Sequence, residues 1–476
     1  MDGTRKVCLS RYARRGWKLL PAVLMVLGVM FWNSAAVRAD APWRVGFARA
    51  EITPDEPVPM SGYKAREDPS KGVLHPLYAR AMAIEDAAGA GRRAVLVTAE
   101  ICILHRSYAD TVAKQIMSRT GLQREQILLN VTHTHSGPFC GKEGSLSYKF
   151  SDELLQRASD YRKRLRKELV SVAEKALKDM KPARLAWGMG VAHFVMNRRE
   201  FTERGVRLGV NPRGYADRSV PVLRVTSPDG SLRGVVFGYA CHATTLGINY
   251  ELSGDYPGVA QHYIEDERPG VHAMFVTGCG GSANPYPRPS LEDTEDHGRE
   301  LGHEVLEVIE NGDLASVNGP LRLVLEDVTL PLQSLSKERL EQMVEHTHYH
   351  PHNARRMLKA LEQSESIPDR YSAPVAVWQF GDDLTFLGLA GEVVGEYVPL
   401  IEETVGHRKL WIAAYCNEVY GYLPTARVLR EGGYETRGTF IEKGYFAEDA
   451  ETALLDKVQE LAREAGRPSE LSVREN

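Results

Sequence analysis

The run Thr132-His133-Thr134-His135-Ser136 closes an apolar segment, Ile127-Leu128-Leu129-Asn130-Val131, and delivers two imidazoles to the end of one strand. Alternate side chains of a strand share a face, so His133 and His135 can address one metal ion, or one can bind while the other acts. Surface or core histidines are the bland alternative. A third imidazole, His242, follows the apolar run 235–241, and a carboxylate, Glu392, follows Phe386-Leu387-Gly388-Leu389-Ala390-Gly391. Alone, a strand-end histidine is more often a structural hydrogen-bonder, and Glu392 could equally open a helix over 393–401, where the dipole welcomes an acid. Together, His133, His242 and Glu392 suffice to hold a catalytic Zn²⁺ and leave a place for water. Such an ion would bring the pKa of water towards neutrality and polarise a carbonyl, which makes hydrolysis the natural chemistry.

Two other clusters read differently. Gly278-Cys279-Gly280-Gly281-Ser282-Ala283 formally matches a dinucleotide-binding pattern, but Pro285, Pro287 and Pro289 forbid the helix that pattern needs. Ser282 is not in a nucleophile elbow either, because Asn284 stands where the second glycine belongs. Its loop could still bring the serine and backbone donors close to a reacting carbonyl. His346, His348, His350 and His352 lie in a charged, helix-like stretch interrupted by Pro351 and read as a solvated face.

Strands and helices must alternate to place these groups. Runs 94–98, 126–131, 223–226, 234–240, 272–277, 384–389 and 410–415 are strand-like, and 108–119 and 152–178 are helical in pattern. Five of the apolar runs end in polar, glycine-rich clusters beginning at 132, 241, 278, 391 and 416. Strand carboxyl ends at one sheet edge are where α/β folds build their sites, so one composite site is the economical expectation. The fold class expected is mixed α/β: sheet layers flanked by helices in a single large domain. Residues 334–366 are expected to form a charged helical insertion, and 447–465 a closing helix.

Composition narrows the partners. The basic N-terminus, the apolar stretch Leu19 to Trp32 and Val37-Arg38-Ala39 have the layout of an export signal over 1–39. Without it, 52 Lys and Arg face 62 Asp and Glu, a formal charge of −10, which argues against a nucleic-acid partner. The other five cysteines, Cys102, Cys140, Cys241, Cys279 and Cys416, are widely spaced in apolar strands and do not suggest a disulfide framework.

The chain resembles the neutral, non-lysosomal ceramidase family. The resemblance runs from Val45-Gly46-Phe47, Ile52-Thr53-Pro54 and Met60-Ser61-Gly62-Tyr63 through T-H-T-H-S-G-P, Asn197-Arg198, C-H-A-T-T, S-G-D-Y-P-G, G-G-S-A-N-P and G-E-V-V-G to the stretch 415–436. It implies one zinc ion per chain held by His133, His242, Glu392 and Tyr422. It further implies His135 as the proton-handling partner, Tyr434 as a donor to the developing oxyanion, Arg198 as a substrate-side donor and Gly62 as backbone lying against substrate. Ser282 falls where the family has its functional serine, although the loop here lacks the Asp and Pro of the family pattern. The domain implied, over 40–476, is the catalytic one without the C-terminal β-sandwich of larger members. The activity implied is that of an exported, periplasmic or secreted, zinc-dependent amidohydrolase cleaving the N-acyl amide of ceramide or a related N-acylated lipid, with transient membrane-surface contact. Two further readings of the same residues stay open. One is a zinc amide or ester hydrolase acting on a peptide, cell-wall or N-acetylated sugar derivative; the other is a non-catalytic secreted binding protein.

Overall fold

The computed structural model describes residues 41–87, 89–141, 150–346, 351–439 and 444–468. The expected leader over 1–39, with His348 and His350 of the histidine run, lies outside these residues. Eight strands form one path: β1 (Trp43–Glu51), β2 (Tyr78–Asp86), β3 (Arg93–Ala99), β4 (Ile127–Val131), β5 (Lys181–Val191), β6 (Ser219–Thr226), β7 (Leu232–Tyr239) and β8 (His272–Thr277), in the order β8-β7-β6-β5-β1-β2-β3-β4. A ninth, Ala315–Val317, pairs with β5. A second sheet has four strands in sequence order: β9 (Leu321–Pro331), β10 (Arg370–Phe380), β11 (Leu384–Leu389) and β12 (Leu410–Ala413). Most neighbours are antiparallel, but β3 with β4, β7 with β8 and β11 with β12 run parallel.

The alternation of apolar residues explains the layers. Ala94 and Leu96 of β3, Leu223 and Val225 of β6, and Met274 and Val276 of β8 share a core with Leu323, Trp378, Phe386 and Trp411 of the second sheet. Their neighbours point to the opposite face. Val95 and Val97 meet the helices α1 (Arg106–Thr120) and α2 (Asp152–Lys178), and Val222, Phe237 and Phe275 meet α3 (Asp255–Glu267) and α4 (Leu291–Asn311). Helix α2 starts where Ser151 caps it by accepting from the Leu154 N–H, carries Asp152 and Glu153 in its first turn, and ends on Lys175 and Lys178. Its buried face, Tyr161, Leu165, Leu169, Val172 and Ala176, follows the helical period.

Between β9 and β10 lie α5 (Lys337–His346) and α6 (Pro351–Glu362), the expected insertion, with a small core of Leu340, Met343, Ala354, Met357 and Tyr445. The closing helix is Ala450–Glu464.

What gathers the site is a polar stitch between strand ends. The Thr277 hydroxyl donates to the Val131 carbonyl (2.7 Å) and the Thr277 N–H to Asn130 Oδ1 (3.2 Å), tying together the two edge strands β8 and β4. Asn130 Nδ2 donates to the Ala414 carbonyl just past β12 (2.8 Å), and the Asn417 N–H donates to the Leu129 carbonyl (2.7 Å). All these groups are buried, and satisfied buried polar networks fix one arrangement where apolar contacts alone would tolerate several.

Candidate metal centre

The chain leaves β4 after Val131 and turns sharply at His133, whose φ of 59° is left-handed. The two imidazoles therefore converge through a backbone kink and not through the same-face rule of a strand. Such strain persists where its surroundings over-determine it. Here the Thr134 hydroxyl donates to the Ser253 carbonyl (2.7 Å), and the His135 N–H to the Ala243 carbonyl (2.9 Å). Asp255 secures the other side of that contact: its two carboxylate oxygens accept from the Thr245 and Leu246 N–H groups (both 3.1 Å), fixing the segment that carries His242.

His133, His242 and Glu392 offer ligand atoms that all lie within 4.8 Å of one another, and all three side chains are buried. Glu392 Oε2 is 3.0 Å from His242 Nε2 and 3.3 Å from His133 Nε2. Ligands about 2.0–2.2 Å from a tetrahedral ion stand roughly 3.3–3.6 Å apart, so the donor set fits a small divalent cation. Each histidine gives its other nitrogen to a backbone carbonyl: His133 Nδ1 meets the Cys102 carbonyl and His242 Nδ1 the Gly280 carbonyl, both at 2.7 Å. Metal-ligating histidines are oriented in this way.

Glu392 does not open a helix. It pairs with Tyr422 in a short parallel ladder, Glu392–Val393 with Tyr422–Leu423, and the next helix begins at Tyr397. Burial alone would push its carboxyl up, but His133 and His242 outweigh that and hold it well below the carboxylate range. Burial likewise opposes a charge on His133, yet Cys102 and Glu392 hold this imidazole well above its ordinary range. Burial and Arg198 bring His242 down to about 4.

His135 behaves differently. Its Nε2 is 3.1 Å from His133 Nε2, it is partly exposed, and its Nδ1 has no hydrogen-bond partner. Burial of the ring and the charges of His133 and His242 push it well below its ordinary range, so it is neutral. Gly62 (φ 95°) lies against this ring: a Cβ there would stand 2.5 Å from His135 Cγ. Gly62→Ala should therefore displace the imidazole, lowering turnover by about 10²-fold, as misplacement of about 1 Å can. Metal content should stay unchanged because the three-residue cluster is untouched; steady-state kinetics with elemental analysis checks this, and unaltered kinetics would refute the packing argument.

Tyr422 stacks on His242 with ring centroids 6.3 Å apart, and Tyr434 meets Tyr422 at 5.5 Å. Burial first, and the charge of Glu392 next, push the Tyr422 phenol well above its usual range. The Arg198 guanidinium lies over both rings, 5.3 Å from Tyr422 and 5.4 Å from Tyr434. Ser282 is buried; its hydroxyl donates to Glu396 Oε2 (2.7 Å) and accepts from the Gly395 N–H (3.0 Å). No helix follows the glycines at 278–281; a short strand, Ala283–Pro285, does. The five described cysteines are free and buried.

Sequence reasoning did not single out Tyr415, whose ring lies 4.6 Å from that of His133, or Glu435, Asn284 and Asp255. It also passed over Glu418, a buried acid whose Oε1 accepts from the Tyr371 hydroxyl (2.5 Å). Burial raises the Glu418 carboxyl from 4.5 to about 7, against the opposing effects of Tyr371 and Arg106. The folded state thus binds this proton more tightly than the unfolded state. Stability should therefore fall as pH rises from about 4.5 to about 7, by about 3 kcal/mol, and be flat above. Melting curves from pH 5 to 8 should show wild type losing ground against Glu418→Gln, and parallel curves would refute this.

The fold and the cluster define an α/β-layered protein with a candidate metal centre at converging strand ends. The family model for the N-terminal part of neutral/alkaline non-lysosomal ceramidases matches residues 43–286, and the chain belongs to that family. A neutral ceramidase of Pseudomonas aeruginosa is 28% identical over 306 residues, covering 60% of this chain and 43% of that protein. Neutral ceramidase A of Dictyostelium discoideum is 24% identical over 262 residues, 52% of this chain and 35% of its own length. The matched region thus spans less than half of these relatives. Among solved structures, a ceramidase complexed with C2 superposes with a TM-score of 0.69 at 19% identity, covering 90% of this chain and 76% of that one. The P. aeruginosa neutral ceramidase gives 0.68 at 20% identity with the same coverage. Among the described residues no helix is long and apolar enough to cross a membrane.

Proposed function

We propose that this protein is an exported zinc-dependent amidohydrolase that cleaves the N-acyl amide of ceramide or a related N-acylated lipid to a fatty acid and an amine. The observation that carries the reading is the convergence of His133 Nε2, His242 Nε2 and Glu392 Oε2, each imidazole oriented by a backbone carbonyl, in a chain of the neutral ceramidase family. His133, His242 and Glu392 would hold the ion, with Tyr422, beside Glu392 in the ladder, as fourth ligand. When bound, zinc supplies a Lewis acid and a water of lowered pKa.

The chain's own groups do the rest. His135, neutral and partly exposed, takes a proton at its ring nitrogen during attack and returns it to the departing amine. Tyr434 donates to the oxygen that gains charge, and Arg198 orients the substrate. Gly62 keeps His135 in place and lets substrate approach the backbone. Ser282 serves the site through Glu396 and the Gly395 N–H, fixing the chain that follows Glu392. The apolar leader with its small-residue end supports export.

The test is product analysis by mass spectrometry with the metal-loaded protein on ceramides, N-acyl amino acids and N-acetylated sugars. Fatty acid release from ceramide is expected. Turnover of non-lipid amides alone, or of none, would overturn the proposal.

A further inference from the structure

Arg198 and Arg199 are consecutive and both buried, an arrangement that costs several kcal/mol per ion unless each charge is met. One carboxylate meets both. Glu435, 1% exposed, accepts from Arg198 Nε through Oε1 (2.9 Å) and from Arg199 Nη1 through Oε2 (2.8 Å). Arg199 spends its other terminal nitrogen on the Gly432 carbonyl (2.9 Å) and Glu431 (3.1 Å), so the segment 431–436 is tied to the strand 199–202. Gly433, at φ 102°, presses the same segment against Val206: a Cβ there would meet Val206 Cγ1 at 3.0 Å.

The consequence for Arg198 is a guanidinium held from several sides. Nε goes to Glu435, Nη1 to Asn284 Oδ1 (3.2 Å), and the ring faces of Tyr422 and Tyr434 hold the flat group. Nη2 is buried, and the Tyr422 side chain is a further hydrogen-bond partner of the guanidinium. We propose that Glu435 is a positioning residue: through Arg198 it fixes the guanidinium between Tyr422 and Tyr434, and through the turn it shares with Tyr434 it sets that phenol, so that both groups meet the same substrate. The ligand class this recognises is an N-acylated amine with a carbonyl or hydroxyl oxygen beside the scissile bond. The inference rests on the hydrolase reading above.

Glu435→Gln keeps the shape but leaves one acceptor oxygen for two guanidiniums. On the ceramide substrate, KM should rise about 10- to 100-fold, with a smaller change in kcat and unchanged metal content. Glu435→Asp, which keeps both oxygens, should recover part of the loss. In an Arg198→Ala background Glu435→Gln should cost little more. Wild-type kinetics for Glu435→Gln, or the same penalty in both backgrounds, would overturn the proposal. If wild type turns over no N-acyl amide, the hydrolase reading falls, and the clamp is judged by the crystal structure of Glu435→Gln. Movement of the Arg198 guanidinium out of its seat between Tyr422 and Tyr434 supports it, and an unmoved guanidinium overturns it. Should Glu435→Gln not fold, Glu435→Asp carries the same kinetic cycle and crystal structure.

Discussion

Glu392→Ala is expected to empty the metal centre and abolish turnover together. Among the described residues, Glu392 is the only anion within 3.3 Å of both His133 Nε2 and His242 Nε2, and its own carboxyl is held well below the carboxylate range by those two imidazoles despite full burial. Removing it leaves two imidazoles that burial drives towards neutrality and takes away the carboxylate that the described residues place against a divalent ion. Loss of a mere hydrogen-bonding partner of a ligand typically costs about 10- to 100-fold in metal affinity, so loss of the anionic ligand should exceed that. Glu392→Gln separates charge from shape: it retains an acceptor for one imidazole but should also lose the metal. Elemental analysis after dialysis reads the outcome directly. Full zinc occupancy in either variant would sink the assignment, whatever happened to activity.

Much of the scaffold was legible because local signals agreed. Helix Asp152–Lys178 carries its cap, its charge polarity and its apolar period in the sequence, and strands His272–Thr277 and Leu384–Leu389 are continuous apolar runs between turn residues. The gathering of five strand ends was also readable, since each run stops in a glycine-rich polar cluster. How they are laced was not. Asn130 and Asn417 reach partners 284 and 288 positions away, and nothing local in an asparagine announces such a bond. The helix that 393–401 could equally have formed starts at Tyr397, because Glu392 and Val393 are taken into a ladder with Tyr422 and Leu423; tertiary pairing overrides the local preference there. Glu435 was hidden for a related reason. A glutamate after a tyrosine looks ordinary until Arg198 and Arg199 arrive from more than 230 positions away.

The two histidines of the opening run should separate cleanly when each is changed to alanine. His133→Ala removes the imidazole whose Nδ1 is held by the Cys102 carbonyl and whose Nε2 faces Glu392, so on the proposed zinc-hydrolase reading the variant should bind no zinc and turn over no substrate. His135→Ala removes a ring that, among the described residues, has no partner at Nδ1; it stands outside the cluster of His133, His242 and Glu392, although with Cys102 and His133 it forms a second set of close ligand atoms. Zinc should remain near one per chain, while turnover falls about 10²- to 10⁴-fold, the usual worth of a positioned acid–base group. The pH profile discriminates further. A base must be deprotonated to act, so the residual activity of His135→Ala should respond less steeply to acid than that of the wild type, whereas a ligand variant restored by excess zinc should keep the wild-type response. Equal loss of zinc from both variants would mean that His135 is itself a ligand, and the kink at His133 would then serve to bring two nitrogens to one ion.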